Sequence, residues 1–481
     1  MKTTDKELTA SGAPDSNSNK KYKKLVSNTV ILGAGTFGSK VLVFFLMPLY
    51  TRYLSTAQYS DADLITQTAN LLLPLVSVGI CEAVFRFTLD KDYSRKDVFT
   101  SGFFVILAGG SLLLALSPLL SLISYFGSYT WLIDLYVVSS CLHSLCAQFV
   151  RAEGRSMLFS VQGIMGTVFT IVLNILFLVA FGMGVTGYVL SVVIADFLTT
   201  LILLLPFKVF RNFSVRSVRK ETLISMLKFS IPLIPTTVFW WITNVADRYM
   251  VKSMISSEIN GLYAAAYRIP SLMILLSGIF IEAWQFSALT ERESPDAVDF
   301  FGVVFESFQG VMFMAATVLI SLSRLIPLFL FAPEYYETWR YMPILLGATV
   351  FSSLVTFMGS VYLVNKKSIL SFITALIGAV VNIVLNLVLI PTPLGANGAA
   401  LATFASYFVV FVIRAINSRG HIPFDLHSVK LTLNTVIIGI QAAFLLFESP
   451  YWVYVQIICI AAILAVNAGP ILRGVKKLIK R

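Results

Sequence analysis

Charge is what this sequence has least of. Asp, Glu, Lys and Arg make up 13% of its 481 residues, against 57% hydrophobic, and the mean hydropathy is +0.82. A soluble protein of this size needs a charged shell, so the deficit excludes water as the main solvent and implies lipid. Histidine is scarce too, with His143, His421 and His427 the only three. That leaves little material for a catalytic cluster, and His421 and His427, with Asp425 between them, read as solvated loop residues. The four cysteines (Cys81, Cys141, Cys146, Cys459) stand in apolar runs at no metal-like spacing and read as small core residues. No loop is long enough to hold a soluble catalytic domain. No catalytic residue, cofactor or metal is therefore expected. The formal net charge of +11 does not point to nucleic acid, because the basic residues sit in short loops and tails beside apolar spans.

What is there is apolar sequence in membrane-length pieces. The runs predict about fourteen spans, at 25–50, 59–88, 98–124, 130–151, 156–181, 185–207, 221–251, 259–288, 297–321, 338–364, 368–391, 395–416, 430–447 and 451–472. Only Arg52, Lys252, Arg324 and Arg340 fall at one set of span ends, while most of the 36 Lys and Arg crowd the other. The asymmetry predicts a multi-pass protein of the cytoplasmic membrane with both termini in the cytosol. Residues 1–24 are polar, carry no signal-peptide pattern and read as a disordered cytosolic tail. Outside, the segment near 322–340, with Pro333-Glu334-Tyr335-Tyr336, reads as a short amphipathic cap.

The chain also repeats itself. Arg155-Ser156 followed by Ile171-Val172-Leu173-Asn174 returns at an offset of 212 residues as Lys367-Ser368 and Ile383-Val384-Leu385-Asn386. Gly184-x-x-Gly187 then answers Gly395-x-x-Gly398, with the offset slipping to 211. The expected fold is an all-α membrane protein of two six-helix bundles, 25–210 and 221–420, joined by a basic linker at 211–220. Six spans per copy keep both in one orientation, so the pseudo-twofold axis runs along the membrane normal. Residues 421–481 add two further spans and a basic tail.

Ionisable groups in hydrocarbon are costly and are functional candidates by default. Lys40, Arg248 and Arg268 lie deep in spans one, seven and eight, where they suit a cationic cavity for phosphate oxygens. Arg86, Lys228 and Asp134 lie near span ends, where snorkelling explains them. Asp196, Asp247, Glu282 and Glu306 have two readings, ion or proton coupling, or a carboxyl that ties helices together. Asp247 and Arg248 are adjacent on one helix and point to different sides of it. His143 reads as a packed polar residue, and Asn174 and Asn386 as interhelical hydrogen-bond residues. Trp240 and Trp241 could stack on sugar rings, although packing is their commoner use. Proline and glycine (Gly33, Gly35, Gly38, Pro74, Pro232, Pro235, Pro270) interrupt the same spans that carry the charges, which suits a moving gate.

The series Asp247-Arg248-Tyr249, Glu258-x-x-Gly261-x-Tyr263 and Ala266-Tyr267-Arg268-Ile269 resembles bacterial polysaccharide transporters. These are the O-antigen and capsule repeat-unit flippases (Wzx-type) of the multidrug/oligosaccharidyl-lipid/polysaccharide exporter superfamily. The first half holds a degraded counterpart, Ala57-Gln58-Tyr59-Ser60, without the usual glycine. The resemblance implies alternating access and movement of an undecaprenyl-pyrophosphate-linked oligosaccharide between leaflets, with Lys40, Arg248 and Arg268 in a central basic cavity. It further implies membrane lipid and polysaccharide polymerase or assembly proteins as partners. A flippase for a peptidoglycan precursor or a related exporter of the same superfamily, a membrane glycan polymerase or acyltransferase, and a scaffold remain as alternatives.

Overall fold

The computed structural model describes residues 42, 44–122, 127–291, 295–365 and 367–479. Lys40, the span-one glycines and the N-terminal tail lie outside them. Among the described residues there are helices and no strands. Twelve helices are long and apolar enough to cross a membrane, and a bent pair brings the number to thirteen. With the sequence of span one these make the fourteen expected. The chain is a multi-pass, all-helical membrane protein. Its ends are called here the basic face, which carries the linker near 208–220, and the far face, which carries 322–341.

The repeat is visible in three dimensions. Span four packs against span six as span ten packs against span twelve. Gly184 and Gly395, the paired glycines, share a left-handed backbone at φ +54°. The slipped residue also has a structural home. Span five runs from Ser156–Asn174 and continues as a π-helical turn, Ile175–Ala180, whereas span eleven is regular across Ser368–Leu389. One extra residue in an α-helix is absorbed as such a turn.

Two spans are broken, each for a local reason. Span two starts at Ser55, whose hydroxyl caps the helix in a capping box with Gln58. It runs Thr56–Val76, then bends by 52° into Ile80–Leu89. At the bend Val78 and Gly79 have φ of +51° and +63°, and Pro74 sits just before it. Span seven comprises Lys220–Ser230, a 3-10 turn at Ile231–Leu233 and Ile234–Met254, and Pro232 and Pro235 deprive that turn of donors. The two breaks touch, since a Cβ on Gly79 would come within 3.3 Å of the Ser230 carbonyl oxygen. On the basic-face side of the break span seven packs on spans two and three; on the far-face side it packs chiefly on span eleven and also on spans two, eight and twelve. Span eight, Ser257–Ala266 and Arg268–Glu291, is interrupted for one residue at Tyr267.

The two final spans, Ser428–Leu446 and Trp452–Ile479, are bonded firmly to span nine (Ala297–Leu322). The Gln441 amide donates to Thr317 O and Ser321 Oγ, Ser321 Oγ donates to Gln456, and Asn434 and Asn467 exchange amide hydrogen bonds. In lipid such buried polar groups find no other partner, so the ladder fixes the helices side by side.

Candidate functional site

The first half of the chain meets the second mainly along span two, and at the far face the meeting is polar. Span two brings acids and hydroxyls; spans seven and eight bring cations and amides. Arg248 Nη1 donates to both carboxylate oxygens of Asp63, at 2.9 and 2.7 Å, and the pair is buried. Lys252 Nζ reaches Asp61 at 2.6 Å. Asn260 donates to Ser60 Oγ at 2.7 Å, Tyr249 and Thr68 share a hydroxyl contact of 2.6 Å, and Trp241 donates to Gln67 O. The helix starts of spans two and eight are capped alike, by Ser55 and Ser256. They touch where Gly261 faces the Thr56 carbonyl so closely that a Cβ would stand 1.8 Å from the oxygen. This is the physical use of the glycine in the Glu258-x-x-Gly261-x-Tyr263 series. Ser60, in the corresponding place of the first copy, provides the acceptor for Asn260.

Arg268 lies on the basic-face side of this contact. Its Nε donates to Tyr59 Oη at 2.7 Å and its Nη2 to Tyr188 Oη at 3.2 Å. It is half-buried, and no carboxylate pairs with it among the described residues. Past this point span eight turns to spans nine and ten and leaves span two. The Tyr59 ring also meets Tyr335 edge-on at 6.1 Å. Tyr335 belongs to a cap over the far face, Ile326–Leu330 and Pro333–Arg340. The cap is fastened by Tyr335 Oη to Leu54 O at 2.8 Å and Ala332 N to Thr51 Oγ1 at 3.0 Å.

The adjacent Asp247 points away from Arg248 and into the second half. Its carboxylate accepts hydrogen bonds from Tyr263 at 2.7 Å, Tyr267 at 2.9 Å, Thr403 at 3.2 Å and the Arg248 backbone at 2.9 Å. Asp247 is fully buried among these donors. In the first half, Asp196 receives a short hydrogen bond from Ser140 and faces His143 Nδ1 at 3.2 Å, while His143 Nε2 meets Gln162 at 2.7 Å. His143 thus has an acid partner that its solitary place in the sequence did not reveal. The other carboxylates are apart from both. Glu306 binds Lys430 at 3.2 Å and His427 at 3.7 Å, tying span nine to span thirteen. His427 also faces Asp425 at 3.3 Å, so the loop expected to be simply solvated is cross-linked. Glu282 is exposed and has no ion-pair partner among the described residues.

Trp240 stacks on Tyr407 at 6.2 Å with Arg414 over its ring at 5.3 Å, so its packing is internal. Arg86 lies over the Phe229 ring at 5.0 Å, and Asp134 accepts from Ser117 at 2.6 Å. Sequence reading passed over Asp61, Asp63 and Arg414. The Asp-x-Asp pair was the available signal, two carboxylates in an apolar span. Arg414 sits two turns from a loop, where snorkelling explains a cation. It is instead 2% exposed, with all its bonds to neutral acceptors, Thr374 Oγ1 and Val355 O, in a space left by Gly359.

The family model described as "Polysaccharide biosynthesis protein" matches residues 25–284. No curated protein matches the chain. Among solved structures the chain is similar to the lipid II flippase MurJ in an inward closed conformation. That match has 15% identity and a TM-score of 0.68 and covers 93% of this chain and 99% of the other. It is also similar to a multidrug resistance MATE family transporter of the MOP superfamily. The outward-facing form gives 15% identity, TM-score 0.58 and coverages of 83% and 95%. The inward-facing form gives 14%, 0.58, 82% and 95%. At these identities the likeness is one of fold, and it spans nearly the whole length of each structure.

Proposed function

Because the chain belongs to the polysaccharide biosynthesis protein family, whose model matches more than half of it, we propose that it is a flippase. Its substrate in this reading is an undecaprenyl-pyrophosphate-linked oligosaccharide, moved by alternating access across a bacterial cytoplasmic membrane whose cytosol meets the basic face. The observation that carries the proposal is Arg268, a half-buried cation held by two neutral hydroxyls just inside the far-face contact. A diphosphate has no fixed competitor there, and an arginine fork matches its oxygens. The lipid tail can stay in the bilayer while the head crosses between the two halves, 25–210 and 221–420. No bond is made or broken, so the protein need only bind and rearrange. Arg248 becomes a second phosphate contact when Asp63 releases it, and Lys40 of span one a third.

Coupling to an ion gradient has two distinct candidate seats, one in each half. Asp196 facing the His143 imidazole at 3.2 Å is the candidate for proton exchange. Asp247 is tied to the moving span itself. Glu306, committed to Lys430, is the better candidate for a structural tie. Sugar stacking by Trp240 requires it to leave Tyr407, and by Trp241 to leave Gln67. The similarity to the lipid II flippase favours one second reading, a peptidoglycan-precursor substrate with the same diphosphate chemistry.

The decisive experiment reconstitutes the chain in vesicles with a fluorescent lipid-diphosphate oligosaccharide and an impermeant quencher of one leaflet. Transfer between leaflets is expected, with loss in Arg268→Ala and part recovery in Arg268→Lys. Full activity of Arg268→Ala would defeat the reading. Transfer of a peptidoglycan precursor in preference to other oligosaccharides would select the second. In the same vesicles Asp196→Asn is expected to flatten the pH dependence of transfer while leaving substrate binding intact.

A further inference from the structure

The two halves each end in a loop at the basic face, and the loops differ in a way the repeat does not require. The second-half loop, after span twelve, turns its apolar side chains inward. Ile422, Phe424 and Leu426 are buried, with Phe424 against Phe301 and Phe305. Asp425, His427 and Lys430 form a local ion-pair cluster with Glu306, which leaves Arg419 as the one exposed cation of that loop among the described residues. The first-half loop, between span six (Gly184–Leu204) and span seven, does the reverse. Leu205, Phe210 and Val215 are each close to 60% exposed, and Lys208, Arg211, Arg216, Arg219 and Lys220 are all exposed. Among the described residues none of these five cations is in an ion pair.

This exposure is not looseness. Thr100 Oγ1 donates to Asn212 O and accepts from Ser214 N, while Asp97, itself 1% exposed, accepts from Arg219 N and from Thr222 Oγ1. Phe213 is wedged against Phe103 at 5.2 Å, and Phe210 stacks on it at 6.0 Å and 14°. The loop is thus held in a fixed shape that displays a phenylalanine and an unpaired cationic fringe together. They stand at the depth where two membrane-length helices emerge from lipid. Orientation of the chain in the membrane needs only the charges. It does not need a rigid aromatic platform among them.

We propose that the segment 205–220 binds the headgroups of anionic phospholipids in the adjacent leaflet. The apolar side chains enter the headgroup–acyl boundary, and the cations contact lipid phosphate and the negative surface potential, each near-surface Lys or Arg adding to the attraction. The segment also begins the lower part of span seven, Lys220–Ser230, which packs on the first half. Lipid bound there holds the first half to its leaflet while the second half moves. The inference is independent of which substrate crosses.

Two measurements test it on the full chain in vesicles of phosphatidylcholine with and without phosphatidylglycerol. The native cysteines are all buried, so a nitroxide can be placed selectively on Phe210→Cys. It should be more accessible to oxygen than to a water-soluble nickel chelate, and more so when phosphatidylglycerol is present. Separately, spin-labelled phosphatidylglycerol should associate with the wild-type chain in preference to phosphatidylcholine. That preference should fall about fivefold or more in Lys208→Gln/Arg211→Gln/Arg216→Gln/Arg219→Gln and lose its salt dependence. A nitroxide in water, or a preference unchanged by the four substitutions, overturns the proposal. So does binding of inorganic phosphate without any lipid preference. The nitroxide measurement keeps all native charges and decides the matter even if the fourfold variant fails to insert.

Discussion

Span two is gripped differently at its two ends. Near the far face it meets both span seven and span eight through Asp61, Asp63, Ser60 and Tyr59, each taking a polar partner from the second half. Toward the basic face it keeps span seven, through Gly79 at Ser230 and Arg86 over Phe229, but span eight has gone to spans nine and ten. Among the described residues, span two is therefore held by both spans seven and eight at the far face and by span seven alone toward the basic face. The far-face contact between the halves is built largely from hydrogen bonds and ion pairs, whereas within each half an extensive apolar core surrounds a few buried polar groups such as Asp196 and Asp247. Polar contacts can be exchanged for water or for a charged ligand at modest net cost, because the groups have alternative partners. Interdigitated side chains cannot be exchanged in that way. The polar seam between the halves is therefore more easily exchanged than the packing inside them.

The largest effect is expected where the far-face contact is tightest. In Gly261→Val a Cβ would meet the Thr56 carbonyl at 1.8 Å, so the two helix starts must part. Spin labels on the far-face ends of spans two and eight should read a longer distance than in the wild type, and transport should cease. An unchanged distance would show that the contact does not set the closure. Asp63→Ala comes next, since it leaves the Arg248 guanidinium buried without its carboxylate. Breaking a buried pair from one side costs about 3–5 kcal/mol, here charged against the closed state. Alkylation of a Ser60→Cys probe from the far side should become faster. Exchanging the pair as Asp63→Arg/Arg248→Asp should restore protection, which a purely steric closure would not predict. Tyr335→Phe should do least, because it removes one hydrogen bond from the cap, worth about 0.5–1.5 kcal/mol. A severalfold rise in the same alkylation rate, with transport retained, is the expected reading. Substitutions in the opposite region, such as Arg86→Gln, should leave that rate alone.

Much of this was legible beforehand, for reasons that can be named. A helix in lipid must satisfy its own backbone, so apolar length alone marks a span. Duplication preserves spacing, so the Asn174 and Asn386 segments found each other, while the one-residue slip between the copies was explained only by the π-turn of span five. Adjacent residues on a helix diverge, which separated Asp247 from Arg248 in advance. The partners were not legible. Asp63 and Arg248 are 185 residues apart, and their pairing depends on how two bundles lean together. Arg268 carried no sign that tyrosines would hold it. Arg414 gave no sign in the sequence of the neutral pocket that Gly359 and Thr374 make for it.

The sequence by itself determined the solvent, the apolar spans, the duplication and the residues whose charge demands an explanation. Those properties are local or periodic, and lipid enforces them helix by helix. Only the tertiary structure decided which cation meets which acid, which end of span two both partners hold and which loop faces outward. Those depend on contacts between helices distant in the chain, where a displacement of a few ångströms makes or breaks an ion pair and no local pattern records it.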